Sequence, residues 1–194
     1  MHRLVTGKST RLRPAVWGFS PAEVERRYRW SADEELQYWS GSIPGGRSLA
    51  SFRDSLGHRD WPADGKRVSY AILSLEDELI GMISLYNIDK RHDIGELGVY
   101  LGEKRYWGSG YGTDALITFL RHLFNGLGLR SVYLHTYASN ERAQRSYAHA
   151  GFAITDKRRR YSPRLGYHEE VRMAVSREMF DRVQGLDRAA STGS

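Results

Sequence analysis

The 194 residues include no cysteine, which excludes a disulfide scaffold, a thiolate zinc site and a cysteine nucleophile. No run of about 18 apolar residues occurs, and MHRLVTGKST at the start lacks the apolar segment of a secretory signal. Neither a membrane span nor export is therefore expected, and the cytoplasm is the default location. Internal repeats are missing as well, so a solenoid or propeller is not expected. What is present suits a folded unit: 40% hydrophobic and 12% aromatic residues can fill the core of a single domain of this length. That domain is expected over residues 1–184, with the Gly, Ala and Ser-rich stretch 185–194 as a frayed tail.

Lysine and arginine number 29 against 23 acidic residues, a net charge of +6. Such a balance favours an anionic partner, and a polyphosphate cofactor fits it as well as nucleic acid does. The densest run, Lys157, Arg158, Arg159 and Arg160, reads as a solvated strand end or loop, with a basic nucleic-acid-binding domain as the alternative. Apart from Tyr161 it lacks the interleaved aromatics that single-strand binding uses. The histidines show no paired-ligand spacing, so His92, His135 and His168 read as surface or core residues and no metal is expected.

A first strand is expected to end over Arg11 to Pro14. Ser20, Pro21 and Glu23 then spell a cap, a first-turn proline and a capping-box acid. Ser31 and Glu34 repeat that spacing ahead of Leu36, Tyr38 and Trp39, which predicts two short helices with a kink near Trp30. Ile43 to Arg47 reads as a loop, Ser48 as the cap of a helix through Leu56, and His58 to Lys66 as a break. From Val68 the period becomes two. Val68, Tyr70 and Ile72, then Leu79 to Leu85, then Gly95 to Leu101 predict an antiparallel meander, with Gly98 as a bulge. Gly108, Gly110 and Gly112 lead into Leu116, Ile117, Phe119, Leu120, Leu123 and Phe124, an apolar stripe at helical spacing that stops at Asn125 and Gly126. Val132, Leu134 and Thr136 alternate as a further strand. Asn140 to His149 reads as a helix ended by Gly151, Phe152 to Thr155 and Val171 to Val175 as the last strands, and Arg177 to Val183 as a closing helix.

The segment Trp107-Gly108-Ser109-Gly110-Tyr111-Gly112-Thr113 thus joins a strand to a long helix, where unpaired N–H groups and the helix dipole favour phosphate. No Gly-Lys-Ser/Thr closes it, and Gly112 falls one position early for the dinucleotide fingerprint, so neither ATP nor NAD is indicated. This loop resembles the acyl-CoA pyrophosphate loop of the GNAT superfamily of N-acetyltransferases. Its surroundings, Gly95 to Tyr106 before and Asp114-Ala115-Leu116 after, are similar to the RimJ/RimL-like branch. Asn140-Glu141-Arg142-Ala143 followed by Tyr147 to Phe152 resembles that branch's N-x-x-A and Y-x-x-x-G-F element. Trp107 stands where the superfamily usually has Gln or Arg, and Arg105 fits the same pattern if the register slides by two.

The resemblance implies an α/β (α+β) fold with a mixed, mostly antiparallel sheet flanked by helices, using acetyl-CoA as co-substrate and no metal. It implies that the backbone of Val99, Tyr100 and Leu101 pairs with pantetheine, that Trp107 to Thr113 hold the pyrophosphate, and that Asn140 binds the cofactor arm. Tyr147 is then the donor to the departing thiolate, and Glu96 the general base or the organiser of a water acting as one. Trp30, Asp33, Glu34, Tyr38 and Tyr86 come from segments that line the acceptor side, where they would form an acidic, aromatic pocket for a cationic amine. An alkylamine near pKa 10.4 costs about 4.6 kcal/mol to deprotonate at pH 7, an α-amine near 8 about 1.4. The expected acceptor is the primary amine of a small molecule; the alternative is the N-terminal amine of a protein. Catalysis would run through a ternary complex in a monomer or homodimer.

Overall fold

The structure, a computed structural model, describes residues 3–40, 46–60, 67–162 and 165–185, the side chains of 57–60 excepted. The expected tail beyond Gly185, most of the loop at 43–47 and the end of the break at 58–66 lie outside the described residues.

The chain builds β1 (Val5–Thr6), β2 (Thr10–Pro14), α1 (Pro21–Ala32), α2 (Glu34–Trp39), α3 (Leu49–Asp60), β3 (Val68–Ser74), β4 (Leu79–Asp89) and β5 (Ile94–Leu101). It continues with α4 (Tyr111–Gly126), β6 (Ser131–Tyr137), α5 (Glu141–His149), β7 (Ala153–Ser162), β8 (Gly166–Ser176) and α6 (Arg177–Val183). The strands form one sheet of order β1-β2-β3-β4-β5-β6-β8-β7. Every neighbouring pair is antiparallel except β5 with β6. The expected mixed sheet flanked by helices is what forms.

Alternation decides what each face holds. Tyr70, Ile72, Ile83, Leu85 and Leu97 turn to one side, where Leu116, Phe119, Leu120 and Leu123 of α4 bury their stripe against them. Each of these side chains contributes about 1.5–3 kcal/mol on leaving water. Ala71, Leu73 and Met82 turn to the other side and meet Trp30 and Leu36 of α1 and α2. β3 is therefore buried at all seven positions.

Several local expectations are corrected. Asp33, not Ser31, caps α2, accepting from the Leu36 N–H at 3.0 Å, because the Ser31 hydroxyl donates instead to the Tyr28 carbonyl at 2.7 Å. The helix α3 runs through His58 to Asp60. After α4 the left-handed residue is Gly128, at φ 68°. Gly98 is not a bulge; it pairs with Ser84, and the irregularity lies between Tyr86 and Asp89, where Asn87 takes φ 50°. Asparagine tolerates that conformation. The final hairpin is longer than its apolar positions suggest, and Lys157 to Arg160 lie within β7, the sheet edge, exposed. There Arg158 pairs with Asp156, Arg160 with Glu170 at 3.3 Å, and Arg159 sits 4.6 Å from the Tyr167 ring centre.

Asp114, in the first turn of α4, ties down the N-terminal segment. Its carboxylate accepts from the Lys8 N–H at 2.9 Å, the Ser9 N–H at 3.0 Å and the Thr10 hydroxyl at 2.7 Å. Burial opposes its ionisation, but these hydrogen bonds outweigh it and hold the carboxyl below its ordinary value of 3.8. Asp114→Ala is expected to cost about 2 kcal/mol and lower Tm by about 4–8 °C. The unfolded-state value is the higher one, so the carboxylate's contribution is complete above the ordinary range and lost as the pH falls through the folded value. Thermal melts of both proteins at pH 7 and pH 3 check this; an unchanged Tm at pH 7 would show the strap to be energetically idle.

Candidate active site

β5 and β6 pair only at Ile94 with Ser131, Gly95 with Val132 and Glu96 with Tyr133. Beyond Glu96 the two strands part, although β5 stays paired to β4 through Leu101 and β6 to β8 through Tyr137. The facing backbone edges of the parted stretch have no ladder, and buried N–H and C=O groups demand partners. A cleft of about 1740 Å³ opens at this fork, with Val99, Tyr100 and Leu101 on its wall. That exceeds the roughly 300–1,000 Å³ of an ordinary ligand pocket and leaves room for two molecules side by side.

The glycine loop closes one end. Gly108 and Gly110 have φ of 74° and 85°, which no β-branched residue adopts without strain. Gly110 is the N-cap of α4 and offers no side chain to the first turn, whose earliest backbone bond is Asp114 N–H to Gly110 C=O at 2.9 Å. The N–H groups before it are orphans at the positive end of a helix. Gly112 differs: its φ is ordinary, and a Cβ there would lie 3.7 Å from Leu101, on the cleft side. Thr113 lines the cleft and shares a 2.8 Å hydroxyl contact with Ser146 of α5. Ser109 and Tyr111 are not on the wall; the Tyr111 ring stacks edge-on against Tyr106 at 4.7 Å.

Trp107 lines the cleft and donates from Nε1 to the Leu101 carbonyl at 2.9 Å, which commits that carbonyl. The Arg142 guanidinium covers its ring at 4.0 Å. Arg105 reaches away to Glu78, so Trp107 is the side chain that supports the loop from this side.

From α5 come two further cleft residues. Asn140 is buried, and its Oδ1 accepts from the Ala143 N–H at 3.2 Å as the helix cap. Tyr147, two turns on, faces the same cleft with its ring 6.0 Å from that of Phe152. Burial pushes its hydroxyl up to about 12, the nearby Arg142 opposing.

Glu96 is not on the cleft wall. Its carboxylate accepts from Tyr86 OH at 3.3 Å and Asn87 Nδ2 at 2.9 Å, and lies 2.9 Å from His135 Nδ1. Burial, then the Glu96 charge, raises the Tyr86 hydroxyl well above its ordinary value. His135 does line the cleft, and it also borders the smaller hollow on the outer side of the sheet. As a lone histidine in a strand it gave no signal in the sequence; only the β5–β6 register brings it to Glu96.

On the acceptor side, Trp30 and Tyr86 are cleft residues. The Trp30 indole donates to Glu103 at 3.1 Å and its ring crosses Tyr100 edge-on at 6.1 Å. Asp33, Glu34 and Tyr38 are not on the wall. Asp33 caps α2 and meets Lys104 Nζ at 2.9 Å, Glu34 is exposed, and Tyr38 packs on Trp39 and Tyr137 at 4.8 and 5.8 Å. The five residues thus do not assemble an acidic pocket, and Arg27, Arg47 and Arg67 line that side instead. Among the described residues no group of three His, Asp or Glu is placed to hold a metal, and no helix is long and apolar enough to cross a membrane.

Residues 12–153 match the family model of the acetyltransferase (GNAT) domain. An N-acetyltransferase 9-like protein of Caenorhabditis briggsae is 25% identical over 119 residues, 56% of this chain and 58% of that protein, so the chain spans little more than half the length of this relative. A candidate acetyltransferase of T. thermophilus superposes with a TM-score of 0.75 at 26% identity, covering 98% of each chain. A spermidine N-acetyltransferase of Vibrio cholerae, solved with CoA and spermine, superposes at 0.77 with 17% identity over 89% of this chain and 98% of its own, a likeness of fold.

Proposed function

The chain belongs to the acetyltransferase (GNAT) domain family, and on that premise we propose that it transfers an acetyl group from acetyl-CoA to the primary amine of a small molecule, through a ternary complex. One observation carries this reading: a strand fork with unpaired backbone and an uncapped, glycine-lined helix N-terminus open onto one cleft large enough for both reactants. The residues present fit acetyl-CoA. A Cβ at Gly108 or Gly110 would meet nothing within 4 Å, so the backbone there is open to an anion.

Bound acetyl-CoA supplies an activated thioester. N–H groups from Gly108 to Thr113 would hold its pyrophosphate, and backbone of Val99 and Tyr100 would complete the β5 edge along its arm. Asn140 would orient that arm. Tyr147 would direct its hydroxyl proton at the departing sulfur. The loop spelling and the Asn140 to Phe152 element support the RimJ/RimL-like branch.

Incubation with acetyl-CoA and a panel of small primary amines, polyamines and peptides with free N-termini tests the proposal, reading thiol release and product mass. Release that depends on a small primary amine, with a product heavier by one acetyl group, is expected. Turnover on peptides alone would transfer the activity to protein N-termini, and no amine-dependent release would leave a binding protein.

A further inference from the structure

We infer that His135 is the general base of this transfer and that Glu96 acts through it as a positioning residue. The inference rests on the acetyl-transfer reading. Its ground is a juxtaposition: Glu96 sits behind the wall and His135 on it, 2.9 Å apart from Oε1 to Nδ1, at the point where β5 and β6 part. The Glu96 side chain is only 14% exposed and accepts hydrogen bonds from Tyr86 and Asn87, so it is held by three neighbours. A carboxylate accepts and does not donate, so the proton between the pair belongs to Nδ1. Nε2 is then the lone-pair nitrogen, which is the tautomer a base needs, fixed from behind as an orienting carboxylate fixes a catalytic imidazole. With 30% of its side chain exposed, His135 also has a route to shed the proton it collects.

The other charges around the ring are committed elsewhere. Tyr133, on the same strand, lies 5.7 Å from the imidazole and carries the Arg172 guanidinium over its own ring at 4.4 Å. Arg172 is also the register partner of His135 on β8. In the hollow on the outer side, which His135 and Tyr133 also line, Arg158 is paired with Asp156 and Arg160 with Glu170. Glu96 is the carboxylate that touches the ring.

An ammonium acceptor loses two protons. His135 Nε2 takes the first, freeing the nitrogen lone pair, and passes it to solvent. The second leaves nitrogen for solvent as the C–N bond forms and the C–S bond breaks, and the thiolate, held by the Tyr147 hydroxyl as hydrogen-bond donor, takes one proton back from solvent. The products are the amide, the free thiol and one proton in solution.

The test compares wild type, His135→Ala and Glu96→Gln for kcat/KM against pH, acetyl-CoA affinity by calorimetry, and the His135 tautomer by two-bond ¹⁵N–¹H correlation. His135→Ala is expected to lose about 10²-fold at pH 7 with affinity unchanged, and free imidazole should restore part of it. The deficit should shrink as the pH rises toward the acceptor's own pKa, because the amine then arrives neutral; a structural role would give a deficit flat in pH. Glu96→Gln should lose less and shift the tautomer signal away from Nδ1–H. Turnover of His135→Ala within threefold of wild type would overturn the base assignment while leaving acetyl transfer standing, as would Glu96→Gln costing more than His135→Ala. Absence of amine-dependent thiol release in wild type would overturn both.

Discussion

Tyr147→Phe is expected to lower kcat about 10²-fold or more while acetyl-CoA affinity and Tm stay close to wild type. The ring keeps its place against Phe152, so only a hydroxyl is lost from the cleft wall. Burial has pushed that hydroxyl up to about 12, against about 8.5 for an ordinary thiol. Complete transfer to the thiolate is therefore uphill by about 5 kcal/mol. The hydroxyl acts chiefly as a fixed hydrogen-bond donor to charge developing on sulfur, and removing one such donor typically costs about 10²- to 10³-fold. The raised value also sets the pH behaviour, since the acid form persists until the pH approaches 12. The kcat of wild type should show no basic limb from this group up to about pH 10, where an ordinary tyrosine is half ionised. Steady-state kinetics across the neutral and alkaline range check both points. A mutant within twofold of wild type would assign thiolate protonation to water.

Gly112→Val is expected to weaken acetyl-CoA binding about 10²-fold without loss of fold. Substitutions at Gly108 or Gly110 confound two effects, because a left-handed backbone there costs a non-glycine residue about 1–2 kcal/mol whatever binds. Gly112 separates them. Its backbone is ordinary and a Cβ makes normal contact with Leu101, so helix propensity favours the substitution slightly while the added methyls take up space at the cleft wall beside the loop. Denying a pyrophosphate one or two charge-assisted hydrogen bonds, at about 1.5–3 kcal/mol each, gives that loss of affinity. Calorimetry with a parallel melt decides: a stable variant with unchanged affinity would show that the phosphates lie elsewhere.

The glycine loop, α4 and the meander were legible in the sequence because their signals are local. Turn residues, a period of two and a stripe at helical spacing act within a few residues of one another. What escaped was decided at a distance or by competition between close alternatives. Glu96 and His135 are 39 positions apart and meet only through a parallel register, so reading each alone gave a carboxylate base and an idle histidine. The sequence spelled Ser31 as the cap of α2, and Asp33, two residues on, is the cap that forms. The Tyr28 carbonyl took the first, and Lys104, three residues past the end of β5, pairs with the second. That choice removed Asp33 from the expected acceptor pocket. The long β7–β8 hairpin left little periodic trace because solvent bathes most of β7 on both faces and no alternation was imposed on it.

The same hairpin settles how the sheet ends. An open edge strand invites a second strand, and a sheet of this kind could grow from molecule to molecule. At one margin β1 is two residues long and offers little template. At the other, β7 is ten residues long but carries four consecutive cations. Two copies approaching edge to edge would set one such run against another, so self-association through this margin is repelled at low ionic strength. Salt shortens the reach of that repulsion to about 3 Å at 1 M. Concentrated salt would screen what repulsion this run leaves after Asp156 and Glu170 have paired with two of its arginines.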